Sequence, residues 1–222
     1  MLSPAFMGRE DAQCGLCQRA RPPFEKAAAY GSYSGALRDL IHLLKYQQVR
    51  PAARVLGRML AEVIAGLETA LPTGTVSVIP VPLHARKQAQ RGFNQSGLIA
   101  RFALKQLARP ERFRLSTGVL ARRRETSSQI GLTRHQRREN LRGAFAVADP
   151  GQVSEREILL VDDVFTTGTT ASECARVLRR AGARRVWVAT VARTLKLADV
   201  LKMPAEPIEE EDAGHLVQAA HG

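Results

Sequence analysis

The sequence predicts an α/β protein whose parallel sheet carries helices on both faces. Apolar segments of strand length alternate along the chain with segments whose apolar residues follow the helical period. The segment Ile158–Val161 is a continuous apolar run, as expected for a strand that is covered on both faces. A turn rich in threonine and another helical pattern follow this strand directly. Strands that alternate with helices in this way favour a parallel sheet.

The first half of the chain predicts two strands and three helices. Ala27 to Tyr33 is a short strand that ends at Ser34-Gly35, and Val76 to Val81 is a buried strand. Arg86 to Gly92 is predicted to be a loop. The helices are predicted from apolar positions at helical spacing, which are Leu37, Leu40, Ile41 and Leu44, then Leu56, Leu60, Val63, Ile64 and Leu67, and finally Leu98, Ile99, Phe102, Ala103 and Leu107.

The second half begins with a polar, arginine-rich stretch over residues 118–142. Ala144 to Ala148 then predicts a short strand, and Ile158 to Asp162 a buried one. Ser172 to Ala181 is helical and stops at Gly182. Val186 to Val191 predicts the last strand.

The charge distribution favours anionic partners. The formal net charge is +12, although the residues from Lys196 onward carry −4, so the preceding 195 residues carry +16. Between Arg109 and Arg142 there are ten arginines and three acidic residues. Such an excess suits phosphorylated metabolites or nucleic acid, and a solvated basic surface would explain it equally well.

The chain is expected to be cytoplasmic and not inserted in a membrane. Its start shows no basic segment leading into an apolar run, which a secretory signal requires. No apolar stretch has the length of about 18 residues that a transmembrane helix needs. Three cysteines argue against a disulfide framework.

The segment Ile158–Thr170 carries the chemistry. Its strand delivers Asp162 and Asp163 to the carboxyl end of a parallel sheet, which is where ligands bind in such sheets. Thr166, Thr167, Gly168, Thr169 and Thr170 follow, and a helix begins after them. Free N–H groups at a helix N-terminus bind anions, whereas carboxylates repel phosphate and suit neutral hydroxyls. A sugar phosphate carries both kinds of group, since its phosphate suits the helix N-terminus and its hydroxyls suit the two carboxylates.

A purely structural interpretation is that the threonines cap the helix and the aspartates meet nearby arginines. Other phosphate motifs are absent, since the chain has neither GxxxxGK[ST] nor GxGxxG. The segment resembles the 13-residue signature of type I phosphoribosyltransferases at all its positions. The resemblance implies that fold, with Asp162 and Asp163 on the ribose hydroxyls of phosphoribosyl pyrophosphate and the residues 166–170 on its 5′-phosphate. It also implies Mg²⁺ bound with that substrate.

Three further stretches resemble the ComF family, whose members join a zinc ribbon to a phosphoribosyltransferase domain and are linked to DNA uptake in natural competence. These stretches are Leu37–Tyr46, Val81–Ser96 and Arg124–Phe145. The resemblance implies three parts, namely a degenerate zinc-ribbon remnant (1–26), a phosphoribosyltransferase-like domain (27–195) and an acidic, disordered tail (196–222).

The resemblance also implies where basic residues meet pyrophosphate. Arg86, Lys87 and Arg91 would lie on a pyrophosphate loop, and Arg124 on a hood over the site within residues 118–142. A solvated basic turn and an arginine-rich surface helix are the structural alternatives. His42 and Lys45 are interpreted as fold or surface residues.

Cys14 and Cys17 have the spacing of half a zinc site, whereas structural zinc takes four ligands. Either the ribbon has degenerated or the recorded start lies inside a longer product, and Zn²⁺ is not expected in this chain. Cys174 is interpreted as a core residue.

Three functions stay open at this stage. The first is transfer of phosphoribosyl to an unknown acceptor, for which no general base or other catalytic residue is identified. The second is binding of single-stranded DNA, with Arg122, Arg123 and Arg124 as contacts. The third is sensing of phosphoribosyl pyrophosphate without turnover. An aromatic content of 5% argues against the second, because single-strand binders stack bases on aromatic side chains.

Overall fold

The computed structural model describes residues 22–124 and 134–194. Its strands are β1 (Ala27–Ser32), β2 (Val76–Pro80), β3 (Phe113–Leu115), β4 (Leu120–Arg122), β5 (Phe145–Val147), β6 (Glu157–Phe165) and β7 (Arg185–Arg193). Five of them form one sheet in the order β1-β7-β6-β2-β3, in which every neighbouring pair is parallel. The strands β4 and β5 form a separate antiparallel pair.

The helices are α1 (Gly35–Tyr46), α2 (Ala52–Leu67), α3 (Ala85–Arg91), α4 (Gln95–Leu104), α5 (Arg134–Leu141) and α6 (Thr169–Arg180). Side chains of α1, α2 and α4 build the core on one face of the large sheet. Side chains of α6 and of the β4–β5 pair build the core on the other face. Within the described part of the chain, no helix combines the length and the apolar composition needed to cross a membrane.

Strand β6 lies at the centre of the sheet and supplies both cores. Leu159 and Val161 belong to the first core, whereas Ile158 and Leu160 belong to the second, and all four are fully buried. Successive residues of a strand point to opposite faces, so a central strand covered on both sides must be apolar throughout its buried part. The predicted α/β fold with helices on both faces is confirmed.

Several details differ from the sequence predictions, and strands β3 and β4 were not predicted at all. Residues 85–91 form helix α3 rather than a loop, and this helix ends at Gly92, whose φ of 74° is left-handed. Strand β6 continues to Phe165, and α6 begins at Thr169. Leu107 is buried although it lies beyond the end of α4. In each case backbone hydrogen bonding extends or stops an element where the apolar pattern alone gives no boundary.

Several predictions fall on residues outside the described ranges. These are the zinc half-site at Cys14 and Cys17, most of the 1–26 remnant, the middle of the arginine-rich stretch (125–133) and the acidic tail (196–222).

Candidate functional site

The turn between β6 and α6 depends on a glycine. Gly168 has a φ of 72°, which a residue with a Cβ rarely adopts, and it directly precedes the first residue of α6. A Cβ at this position would lie 2.7 Å from Cζ of Phe165. The Gly168 carbonyl accepts the N–H of Ser172 at 2.8 Å and so starts the helix. The first N–H groups of α6 therefore face the turn without helical partners.

A small, partly open cavity lies against this turn. Its lining combines one carboxylate, several hydroxyls and the glycine, and consists of Asp162, Val164, Phe165, Thr166, Gly168, Thr170, Ala171 and Thr190. Carboxylate, hydroxyl and turn backbone thus border one small space at the carboxyl end of β6. Thr167 and Thr169 do not line it, and their hydroxyls share a hydrogen bond of 2.7 Å.

Asp162 is held in place from two directions. Its Oδ1 accepts the hydroxyl of Ser96 at 2.9 Å and the backbone N–H of Asp163 at 2.9 Å. Ser96 is fully buried in the first turn of α4. That turn is capped by Asn94, which accepts the N–H of Gly97 at 3.1 Å and donates to the carbonyl of Val81 at 3.0 Å. The end of β2 thus fixes the helix that orients Asp162.

Asp163 alternates with Asp162 along the strand and its side chain reaches α1, although the two carboxyl groups stay close enough to share a hydrogen bond. Its carboxylate forms an ion pair with Lys45 of α1, and the side chains of Asp163 and Lys45 are only 5% and 18% exposed. Burial opposes ionisation of both groups, yet the charge of Lys45 holds the pKa of Asp163 below its ordinary value, and the charge of Asp163 raises the pKa of Lys45. The two neighbouring acids therefore have different surroundings.

The pKa of Asp162 is raised to about 8, first by burial and then by the charge of Asp163. Lys45 opposes this shift from the other face. The ion pair with Lys45 therefore compensates the charge of Asp163, and burial makes ionisation of Asp162 less favourable. A site of this kind accepts an anion far more readily than a pair of bare carboxylates would.

The predicted basic residues occupy three different positions. Arg86 and Lys87 are exposed on α3. Arg91 donates to the side-chain oxygen of Gln95 at 2.6 Å, and its guanidinium lies over the ring of Tyr46 at 5.9 Å.

Arg124 donates to the backbone carbonyls of Asn140 at 2.8 Å and Arg142 at 3.1 Å. It therefore joins the end of β4 to the C-terminal end of α5.

Three side chains at the site were missed by the sequence interpretation. Lys45 was assigned to fold or surface, although it continues the buried stripe of α1. Ser96 lies in a stretch that was quoted only for its family resemblance. Thr190 is a lone hydroxyl in an apolar strand, and it is paired with Asp162 in the β6–β7 register. A polar residue at an apolar position is the signal that would have found Lys45 and Thr190.

Two curated relatives cover most of the chain. The DNA utilization protein YhgH of Escherichia coli O6:H1 is 36% identical over 183 residues, which are 82% of this chain and 78% of that protein. Competence protein F of Haemophilus influenzae is 33% identical over 185 residues, which are 81% and 78% of the two chains. No family model matches the sequence.

Two other similarities are more limited. Ribose-phosphate pyrophosphokinase 1 of Archaeoglobus fulgidus is 38% identical over 56 residues, which are 25% of this chain and 20% of that protein. The solved structure of an allosteric regulatory enzyme of purine biosynthesis matches with a TM-score of 0.36 and 23% identity, covering 64% of this chain and 26% of that chain.

Replacing the two aspartates separately should change stability in opposite directions at alkaline pH. A carboxyl whose pKa is raised by folding stabilises the protein below its unfolded pKa, and this stabilisation is lost as the pH rises through about 8. The Asp162→Asn variant has no carboxyl group to ionise at this position, so it does not lose this stabilisation. Its free energy of unfolding should therefore rise relative to that of the native chain as the pH increases from 5 to 8.5. Asp163→Asn leaves Lys45 buried without its partner and should cost about 3 kcal/mol, near the lower end for a broken buried pair.

Urea unfolding at pH 5, 7 and 8.5 measures both effects, with Asp39→Asn on the surface of α1 as the control. If the difference between Asp162→Asn and the native chain is the same at all three pH values, Asp162 is ionised throughout and the described electrostatics are wrong.

Proposed function

Since the chain belongs to the ComF family, that of competence protein F and the DNA utilization protein YhgH, we propose that its cavity binds the phosphoribosyl group of phosphoribosyl pyrophosphate or of a ribonucleotide 5′-phosphate. The parallel five-stranded sheet with helices on both faces is the phosphoribosyltransferase-like fold that the sequence predicted. One observation carries the proposal. Asp162 and the turn at Gly168 line the same small cavity at the carboxyl end of β6.

The two halves of the cavity suit the two halves of a sugar phosphate. A 5′-phosphate would accept hydrogen bonds from the N–H groups at the start of α6 and from the hydroxyls of Thr166 and Thr170. Each hydrogen bond to the charged phosphate would contribute about 1.5–3 kcal/mol. Asp162 would hold a ribose hydroxyl, either as donor when it is protonated or as acceptor when it is ionised.

The residues present also fit a Mg²⁺ ion that arrives with the substrate. Mg²⁺ prefers one or two carboxylates together with substrate phosphates and water, and Asp162 is the carboxylate that lines the cavity. The ion would neutralise the charge of a leaving pyrophosphate. The protein's own contribution would be to orient the ribose and to stabilise charge. Transfer to an acceptor and sensing without turnover both start from this binding step. Only transfer releases pyrophosphate, so an assay for released pyrophosphate distinguishes the two functions.

Phosphoribosyl pyrophosphate with Mg²⁺ should raise the melting temperature of the native chain. A ligand at 100 times its Kd adds about 2.7 kcal/mol to the free energy of unfolding. For a chain of this size that corresponds to about 5–10 °C. Asp162→Asn should lose most of the increase because the amide cannot bind the ribose hydroxyl and Mg²⁺ as a carboxylate does.

Asp39→Asn, an exposed acid on α1, is the matched control and should keep the full increase. Ribose 5-phosphate and inorganic pyrophosphate tested alone would show which part of the ligand binds. The proposal fails if none of these ligands stabilises the native chain, or if Asp162→Asn responds as strongly as the control.

We propose binding of single-stranded DNA as a second function, because the fold assembles aromatic and basic side chains that are scattered in the sequence. Tyr46 is 68% exposed, and Arg91 lies over its ring. Arg50 lies 5.4 Å from the ring of Phe93. The end of α1 and the residues after it therefore form two arginine–aromatic pairs with the end of α3 and the residues that follow it. Stacked rings with neighbouring cations are the usual platform for a single strand.

A larger, open cavity continues this surface. Its lining includes two arginines, and consists of Arg50, Gln88, Gly92, Phe93, Asn94, Gly97, Leu98, Arg101 and Thr117. Asn94 and Gly97 belong to the same turn of α4 as Ser96, which contacts Asp162. A strand bound here would therefore run close to the sugar-phosphate cavity. The low aromatic content of the sequence does not argue against such a surface, since a few well-placed rings suffice.

Fluorescence anisotropy with a labelled oligothymidine tests the second function. Tyr46→Ala should weaken binding by about 1–3 kcal/mol if a base stacks on the ring, whereas Tyr46→Phe should keep it. Alanine at Arg50 and at Arg101 should each lower the slope of log affinity against log salt by about 0.7. Arg184→Ala, which removes an exposed arginine just before β7 at the opposite edge of the sheet, is the charge control. Equal losses for Arg184→Ala and the two test arginines would refute a localised strand-binding surface.

A further inference from the structure

Lys45 occupies a position where the helical pattern of α1 calls for an apolar residue. The buried residues of α1 are Leu37, Ile41 and Leu44. Residues at i, i+4, i+7 and i+8 share one face of a helix, so Lys45 completes this stripe. Burying a charged lysine at such a position is costly unless an opposite charge forms an ion pair with it. Asp163 is that partner.

Lys45 is connected to Asp162 through Asp163. The carboxylate of Asp163 is held by Lys45 on one face of the sheet. The backbone N–H of the same residue donates to Asp162 at 2.9 Å. Any movement that releases Asp163 from Lys45 therefore disturbs the group that orients Asp162. The buried residues of α1 hold this helix in place, so Lys45 is an ion-pair partner of Asp163 with a defined position.

We propose that Lys45 is a positioning residue of the sugar-phosphate site, which neutralises Asp163 and leaves Asp162 as the single carboxylate that meets the ribose hydroxyls. This inference rests on the proposed binding of a phosphoribosyl group. It assigns the two neighbouring acids to different tasks, whereas the family resemblance implied that both hold the diol. The difference follows from geometry, because Asp162 lines the cavity, whereas the carboxylate of Asp163 is paired with Lys45.

The charge of Lys45 also bears on anion binding. Phosphoribosyl pyrophosphate is highly anionic, and an uncompensated second carboxylate one residue from Asp162 would repel it. The other titratable or polar groups near Asp162 are Ser96 on α4, Arg122 on β4 and Cys174 on α6. The charge of Arg122 acts on Asp162 from the second face, but it does not replace the ion pair that Lys45 makes with Asp163. Tyr33 lies near Lys45 and shares a hydrogen bond of 3.0 Å with His42.

Three variants test the inference. Lys45→Met removes the charge and keeps the length of the side chain, and Lys45→Arg keeps the charge. The double variant Lys45→Met with Asp163→Asn removes both charges together, so it avoids a buried unpaired group if Lys45→Met alone folds poorly. Circular dichroism and melting temperature establish that each variant is folded at the temperature of the binding experiment.

The first readout is the affinity for phosphoribosyl pyrophosphate with Mg²⁺, measured by calorimetry. Lys45→Met should bind at least about tenfold more weakly because Asp163 becomes an uncompensated anion. Lys45→Arg and the double variant should bind within about threefold of the native chain, because the net charge of the pair is zero in both. Native affinity in folded Lys45→Met would overturn the inference and leave the proposed function intact. Weak binding by the double variant, at the level of Lys45→Met, would also overturn it.

The second readout is the titration of the Asp162–Asp163 pair, followed by carbon NMR of labelled carboxyl groups and assigned with the two Asp→Asn variants. Its upper midpoint should rise by at least about one unit in Lys45→Met and should stay unchanged in Lys45→Arg. A midpoint that does not move in Lys45→Met would overturn the inference. This readout needs no ligand, so it tests the effect of Lys45 on the acidic pair separately from binding. Failure of the native chain to bind phosphoribosyl pyrophosphate would instead overturn the proposed function.

Discussion

The alternation of side chains along β6 is the constraint on which the rest of the site depends. The strand is central in a parallel sheet and is covered on both faces, so its residues are apolar until it reaches the carboxyl edge. There Asp162 and Asp163 must point to opposite faces. One carboxylate meets the cavity at the turn, and the other meets Lys45 of α1. A single step of one residue along a strand thus separates a ligand-facing group from a group that is held inside the protein.

The carboxyl edge of the sheet brings together residues that are far apart in the chain. Ser96 arrives at the start of α4, because Asn94 ties that helix to the end of β2. Thr190 arrives from β7 through its register with Asp162. Gly168 lets the chain turn tightly between β6 and α6, so the helix N-terminus faces the same cavity. These contacts arrange one carboxylate, several hydroxyls and free N–H groups around one small cavity. The second cavity shares the first turn of α4 through Asn94 and Gly97, and its lining includes the pair of Arg50 with Phe93.

Much of this arrangement could be predicted from local sequence, because local pattern determines it. The apolar run of β6, the acidic pair and the threonine-rich turn are contiguous, so their order alone predicts a strand, a ligand edge and a helix N-terminus. Lys45 could not be placed in the same way, since its partner is more than a hundred residues away and depends on how α1 packs. The family signature names two neighbouring acids but does not say where each side chain points. The separate roles of Asp162 and Asp163 follow only from strand alternation and from the partners of each carboxylate. Tyr46, Arg50, Arg91 and Phe93 form one surface only through tertiary contacts, which a count of aromatic residues does not detect.

The central claim is that one sugar phosphate spans the cavity, with its phosphate at the start of α6 and its hydroxyls at Asp162. A crystal structure with ribose 5-phosphate tests this claim most directly. Phosphate oxygens are expected within about 3 Å of the N–H groups of residues 166–170, and a ribose hydroxyl at the same distance from the Asp162 carboxylate. Asp163 should keep its ion pair with Lys45. A sugar phosphate bound instead between Arg50 and Arg101, with Asp162 contacting no part of it, would contradict the account.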